Sequence, residues 1–322
     1  MTLAAAIALA PALVPVLALA GLLRRRRFAL LRTYFFIGWL LVAESAGVVA
    51  ATLFWCRATL QRPSPEVYAR WHYRLQQRWT GAMWNGARAA FGFRLELEVT
   101  PEAAAAIERG PVVLLSRHAG VADVLLPALV VANPFNVCLR YVLKRELLTD
   151  PCLDLVGQRL PNAFVGREGS DSERAVTAIV GLAKGIGRGD GVLIYPEGTR
   201  FTAAKRDRII RSAIERGDAE LADYAESLTA TLPPRPKGTL ALLNAAPTAG
   251  LLVLEHTGFE RATRLPDLAS GSLVGLVVRA RLRLTPTLAK PDLADLRRIW
   301  SEVDDWVVAN SLPPRGGVEE SS

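Results

Sequence analysis

The first 56 residues constrain the chain most. Thr2 to Leu23 carry no charge and consist almost wholly of Ala, Leu, Ile and Val. A helix of that length reaches across a bilayer core. Pro11 and Pro15 are the positions at which it can kink. Arg24, Arg25, Arg26 and Arg27 follow at once. No positive charge precedes the apolar run, which sets it apart from a secretory signal. A second apolar stretch runs from Thr33 to Cys56, interrupted by Glu44, Ser45 and Gly47. Arginine recurs after it at Arg57, Arg62, Arg70, Arg74 and Arg78. Cations beside a span belong in the cytoplasm, so both flanks of the second stretch ask for the same side. Two readings stand: a plain second span, or a hairpin that breaks near Glu44 and returns.

With 322 residues there is room beyond this start for one large domain. The net charge of +8 favours anionic partners, and the apolar start turns that preference toward a phospholipid membrane, not nucleic acid. Three cysteines, Cys56, Cys138 and Cys152, have no paired spacing, so neither a disulfide framework nor a zinc site is indicated. Cysteine scarcity is compatible with a domain facing the cytoplasm. Ser64-Pro65-Glu66 is a helix start. The helix it opens carries Val67, Trp71, Leu75 and Trp79 in a stripe flanked by Arg70, Arg74 and Arg78. That mixture suits either a helix at the membrane interface or an amphipathic helix packed on the domain. The chain thus divides into a membrane-embedded helical segment (1–58), a domain (59–312) with an interfacial helix near 65–91, and a polar tail (313–322).

Beyond Phe91 the pattern becomes that of an α/β protein. Phe93, Leu95, Leu97 and Val99 alternate with polar residues, as in a half-buried strand. Short apolar strands are predicted over 111–116, 137–143, 162–165, 191–195, 251–256 and 273–284. Helices are predicted over 121–132, 171–186 and 292–310. The expected fold is α/β: a central mixed sheet covered by helices, preceded by the N-terminal membrane-embedded helical segment.

Chemistry-bearing residues fall where these strands end. His118 follows one, and Asp123 stands five positions on. A histidine base needs one ring nitrogen free and the other held by an acceptor, which Asp123 can supply. No serine or cysteine nucleophile accompanies the pair, so direct attack by a substrate hydroxyl is the simpler chemistry. The bland alternative is a surface histidine and a helix-capping aspartate. Glu197-Gly198-Thr199-Arg200 ends another strand. It is either a plain turn or an anion clamp in which Arg200 forks onto a phosphate. Glu197 would orient that arginine or accept from a substrate hydroxyl. Lys144 and Arg167 also follow strands and can converge on the same anion, and Arg117 beside His118 can bind phosphate or support from outside. His72 and His256 are read as structural. Arg206, Arg208 and Arg211 read as a helix face turned to solvent or to lipid.

These motifs resemble the glycerolipid acyltransferase family, the group containing 1-acyl-sn-glycerol-3-phosphate acyltransferase. The family's histidine and aspartate separated by four residues are matched by His118 and Asp123. Its Lys-x-Glu-Leu element is matched by Lys144-Arg145-Glu146-Leu147, and its second block by Phe164-Val165-Gly166-Arg167. Its third block is matched by Pro196 followed by Glu197 to Arg200. Leu232-Pro233-Pro234 or Ala246-Pro247 stands in the region of the fourth. The sequence departs from the family at Arg117, where asparagine is usual, and at Gly120, where serine is usual. The resemblance implies acyl transfer from acyl-CoA or acyl carrier protein to the hydroxyl of 1-acyl-glycerol 3-phosphate, giving phosphatidic acid. His118 is then the general base and Asp123 its orienter. Arg117, Lys144, Arg167, Glu197, Gly198, Thr199 and Arg200 line the substrate site, with no metal or cofactor. Glycerol 3-phosphate, another lysophospholipid or a glycolipid are alternative acceptors. A catalytically silent membrane lipid-binding protein is the alternative of another class. A metal-dependent phosphoesterase would want more clustered carboxylates and histidines than three histidines allow.

Overall fold

The two apolar helices of the N-terminus do not stand apart from the rest. A computed structural model describes residues 3–23, 28–166, 172–286 and 288–311. The four arginines at 24–27 and the polar tail at 313–322 lie outside the described residues. Helix α1 (Leu3–Leu23) runs through both prolines and packs on α2 (Ala29–Gln61), one helix of 33 residues. Of the two readings of this stretch, the break near Glu44 does not form: α2 is continuous there. Its polar interruption is absorbed locally. The Trp79 indole donates to Glu44 Oε1 at 3.1 Å, and the Ser45 hydroxyl turns back onto the Leu41 carbonyl at 2.7 Å. Gly47 is what lets α2 lie close, because a Cβ there would collide with Cys152 Sγ.

Helix α3 (Pro65–Phe91) starts as its sequence predicts, with Ser64 accepting from the Val67 amide and proline in the first turn. Gly92, at φ 66°, ends it. The expected stripe at Val67, Trp71, Leu75 and Trp79 is not the buried one. The face turned inward is His72, Tyr73, Thr80, Trp84, Ala87 and Phe91, packed on α2 and on the domain. Trp71 instead meets Phe54 of α2 at 5.7 Å and carries the Arg57 guanidinium 4.7 Å above its ring.

The domain continues with β1 (Arg94–Val99), α4 (Pro101–Arg109), β2 (Val112–Ser116), β3 (Cys138–Lys144), α5 (Pro151–Gly157), β4 (Ala163–Val165) and α6 (Glu173–Leu182). There follow β5 (Asp190–Ile194), α7 (Ala203–Glu215), α8 (Ala219–Ser227), α9 (Pro236–Ala245), β6 (Gly250–Thr257), β7 (Val277–Thr285) and α10 (Leu293–Asn310). The strands form one sheet in the order β1-β7-β6-β2-β5-β3-β4. Every pairing is parallel except β6 with β7. The fold is thus α/β with a mixed seven-stranded sheet. Strand β2 is buried along its whole length, so its sequence is a continuous apolar run with no alternation. Its residues still divide between two cores. Leu114 faces one with Leu193, Leu252, Trp84 and Phe91; Val113 and Leu115 face the other with Ile179, Leu242 and Trp300.

The helix expected over 121–132 differs in kind. Asp123–Leu125 is a 3₁₀ turn, and Ala128–Ala132 widens to a π-helical turn. Pro127, which lacks an N–H, sits between the two and breaks the regular ladder.

Candidate active site

Strand order decides which loops meet. β5 lies between β2 and β3, and β2 lies between β5 and β6. All four run in one direction, so the residues that follow them gather at one end of the sheet. His118 after β2, Lys144 at the end of β3, the Glu197–Arg200 turn after β5 and His256 at the end of β6 are placed there.

His118 and Asp123 meet directly. The Nδ1 of His118 lies 3.0 Å from Asp123 Oδ1. The other oxygen of Asp123 accepts from the amides of Ala119 at 2.5 Å and Gly120 at 2.7 Å. Three donors thus lock a carboxylate that is 0% exposed. Burial pushes its carboxyl up, but the His118 ring, His256 and the Gly120 amide outweigh this, and the net displacement is downward. An ionised Asp123 can only accept, so the tautomer that suits this contact carries its proton on Nδ1. Tyr195 backs the imidazole, ring centroids 4.7 Å apart. The family's serine has no room at position 120: a Cβ there would strike the Phe259 carbonyl and lie 2.8 Å from Phe259 Cβ.

Two expectations are corrected. Arg117 is 1% exposed and so cannot present its guanidinium to a substrate. It donates to the carbonyls of His256 at 2.6 Å and Ala230 at 2.9 Å and pairs with Glu260 at 3.3 Å. Glu197, 2% exposed, neither orients Arg200 nor faces solvent. Its two oxygens accept from the amides of His118 at 3.1 Å and Leu232 at 3.0 Å. Burial drives its carboxyl up to about 8, against the pull of Arg117 and those amides.

The cations of the site lie around the turn. Gly198 takes φ 65°, a conformation that costs glycine least, and Arg235 packs where a side chain would stand. Arg200 donates to the Thr263 carbonyl. Lys205, which the motifs did not single out, donates to Thr199 Oγ1 at 2.9 Å and to the Arg200 carbonyl at 2.7 Å. Burial and then the positive charges of Arg200 and Lys144 pull the Lys205 pKa down. Those three cations therefore share one field. Arg167 lies outside the described residues.

Sequence reasoning set His256 aside as structural, and it proves wholly buried behind the pair. Its Nε2 lies 3.0 Å from the Arg117 carbonyl oxygen and 3.6 Å from Asp123 Oδ2. Burial pulls its pKa down, which favours the neutral ring. The signal that could have found it is its place at a strand end beside Glu255 and Gly258. Among the described residues no cluster of His, Cys, Asp and Glu has the make-up of a metal site.

The acyltransferase family model matches residues 97–234, which contain His118, Asp123 and the Glu197–Arg200 turn. Nothing matches among curated proteins. Among solved structures, the 1-acyl-sn-glycerophosphate (LPA) acyltransferase PlsC from Thermotoga maritima superposes with a TM-score of 0.54 at 15% identity, over 88% of this chain and 96% of that one. That likeness extends the shared fold well beyond the matched segment, into the helices on either side of it. Over residues 97–234, this chain is similar to the acyltransferase family.

Proposed function

We propose that this protein moves a fatty acyl group from the thioester of acyl-CoA or acyl carrier protein to the free hydroxyl of 1-acyl-glycerol 3-phosphate, making phosphatidic acid. The buried, backbone-locked Asp123 at 3.0 Å from His118 carries the reading. In it, His118 Nε2 takes the acceptor's hydroxyl proton as the oxygen attacks the thioester carbonyl. The carbon–oxygen bond forms, and the tetrahedral adduct collapses with loss of thiolate. The imidazolium then returns its proton to that sulfur, while Asp123 stabilises the charged ring without itself taking the proton. Arg200, Lys205 and Lys144 hold the acceptor phosphate, a dianion that offsets the crowding of three cations. Thr199 and Gly198 shape the turn that presents Arg200, and Arg167 is assigned to the same anion from its motif. The Thermotoga maritima enzyme is named for an acceptor of this class, LPA.

The reading also puts the protein on the cytoplasmic face of the cell membrane, where acyl donors are available. Helix α2 is long and apolar enough to cross a bilayer by length and composition. Its outward face carries Phe35, Trp39, Val42, Val49 and Leu53, all exposed. A continuous apolar face of that kind marks a membrane contact.

Purified protein, labelled acyl-CoA and acyl carrier protein, and a panel of acceptors test the proposal. Label should pass to 1-acyl-glycerol 3-phosphate in preference to glycerol 3-phosphate, a choline lysophospholipid and a glycolipid. Transfer to a neutral acceptor with none to lysophosphatidate would overturn the phosphate assignment.

A further inference from the structure

We propose that Asp304, on α10 and outside the family-matched segment, is a positioning residue for His118. The inference rests on the reading of His118 as the base.

Asp304 is 4% exposed and fully engaged. Its Oδ1 accepts from the amides of Ala230 at 2.8 Å and Thr231 at 2.7 Å, and from the Thr231 hydroxyl at 2.8 Å. Its Oδ2 accepts from the Thr229 amide at 2.8 Å. Three successive backbone N–H groups aimed at one point form a nest for an anion. Here the protein's own carboxylate fills the nest. Trp300, Val303 and Val307 bury the same helix against the sheet, so Asp304 is a fixed post.

The strap it grips, Thr229–Leu232, reaches the site by two further bonds. The Ala230 carbonyl accepts from Arg117, the residue before His118, at 2.9 Å. The Leu232 amide donates to Glu197 Oε2 at 3.0 Å, and Glu197 Oε1 accepts from the His118 amide at 3.1 Å. From Asp304 to the main chain of His118 there are thus two intermediaries, the strap and Glu197. An internal anion used only for stability would need neither connection. With Asp304 removed, the strap loses its four donors' acceptor, Glu197 loses a fixed partner, and the His118 main chain gains freedom to slide relative to Asp123. Misplacing a base by even an ångström slows chemistry without weakening substrate binding to match.

The test uses the full chain in detergent micelles or lipid discs, comparing wild type with Asp304→Ala and the milder Asp304→Asn, which keeps shape but sets an amide N–H₂ against the Thr229 N–H. Amide hydrogen exchange is resolved at residues 118 and 229–232, and kcat and KM are measured for transfer from acyl-CoA to lysophosphatidate. Exchange in Asp304→Ala should quicken about tenfold or more at 229–231, and also at Leu232 and His118, as lost bonds expose those amides. The amides of Val113 and Leu115 and those of α10 should stay protected. The kcat should fall about tenfold to a hundredfold while KM stays within about twofold. Asp304→Asn should move the same amides less, and it decides the matter if the alanine variant does not fold. Faster exchange confined to 229–231, with His118 as in wild type, would overturn the proposal, as would unchanged kcat. If the wild type itself transfers no acyl group, the acyl-transfer reading fails alone, and exchange at His118 still accepts or rejects the link.

Discussion

A carboxylate that is already saturated behaves differently from one that waits for a partner, and Asp123 is of the first kind. Its two oxygens hold the His118 ring and the amides of Ala119 and Gly120. Asp123→Asn must turn an N–H₂ toward one of these donors, leaving a buried group unsatisfied at ~1–3 kcal/mol. The pH dependence has a definite sign. The native carboxyl is displaced below its usual range, so its contribution is complete above the unfolded value of about 3.9 and is lost as pH falls through the native one. The gap in thermal midpoint between wild type and Asp123→Asn should therefore be widest at neutral pH and close in acid. A gap that widens in acid would contradict an ionised Asp123. His118→Ala, by contrast, removes the proposed base and little packing. Its turnover should drop ~10²–10⁴-fold with the melting temperature held. Gly120→Ser tests a local departure from the family pattern. Restoring the usual residue should cost ~1–3 kcal/mol through overlap with Phe259, read as a lower midpoint.

At the scale of elements, what could be read from sequence was what short periods encode. The strands at 112–116 and 190–194 and the capped start of α3 declare themselves through apolar runs and a Ser-Pro-Glu signal. The irregular turn over 123–132 does not, because an apolar stretch around Pro127 has the same composition whether its pitch is α, 3₁₀ or π. Half of the site was equally legible. His118 and Asp123 are five residues apart, and local spacing suffices to pair them. Arg117 was misassigned because its three acceptors lie more than a hundred residues away, on Ala230, His256 and Glu260. No local pattern reports burial by distant segments. The turn after β5 yields its own prediction. Arg200→Ala and Lys205→Ala should each raise KM for a phosphorylated acceptor by the equivalent of ~1.5–3 kcal/mol, with KM for acyl-CoA little changed. The reverse pattern would mean that the donor, not the acceptor, occupies this turn.

For the whole molecule, the decisive relation is that α2 is bonded to the domain at both ends. Near its start, Arg32 donates to the Ala90 carbonyl at 2.6 Å and Thr33 to the Leu268 carbonyl at 3.1 Å. Near its finish, Phe54 and Arg57 stack on Trp71. A helix moored along about 38 Å of its length cannot also carry its domain across a bilayer from one face to the other. Single cysteines at positions 26 and 316, in a background without the native three, should therefore react with an impermeant thiol reagent from the same side of sealed, oriented vesicles. Labelling from opposite sides would contradict a helix seated lengthwise. The clasp between α10 and the strap before Leu232 carries a consequence for the order of synthesis. The ribosome releases α1 and α2 first and α10 some 230 residues later. On the proposed link to Asp304, a nascent chain can settle on lipid while the main chain at His118 is still unbraced, and that brace is complete only once α10 has been made.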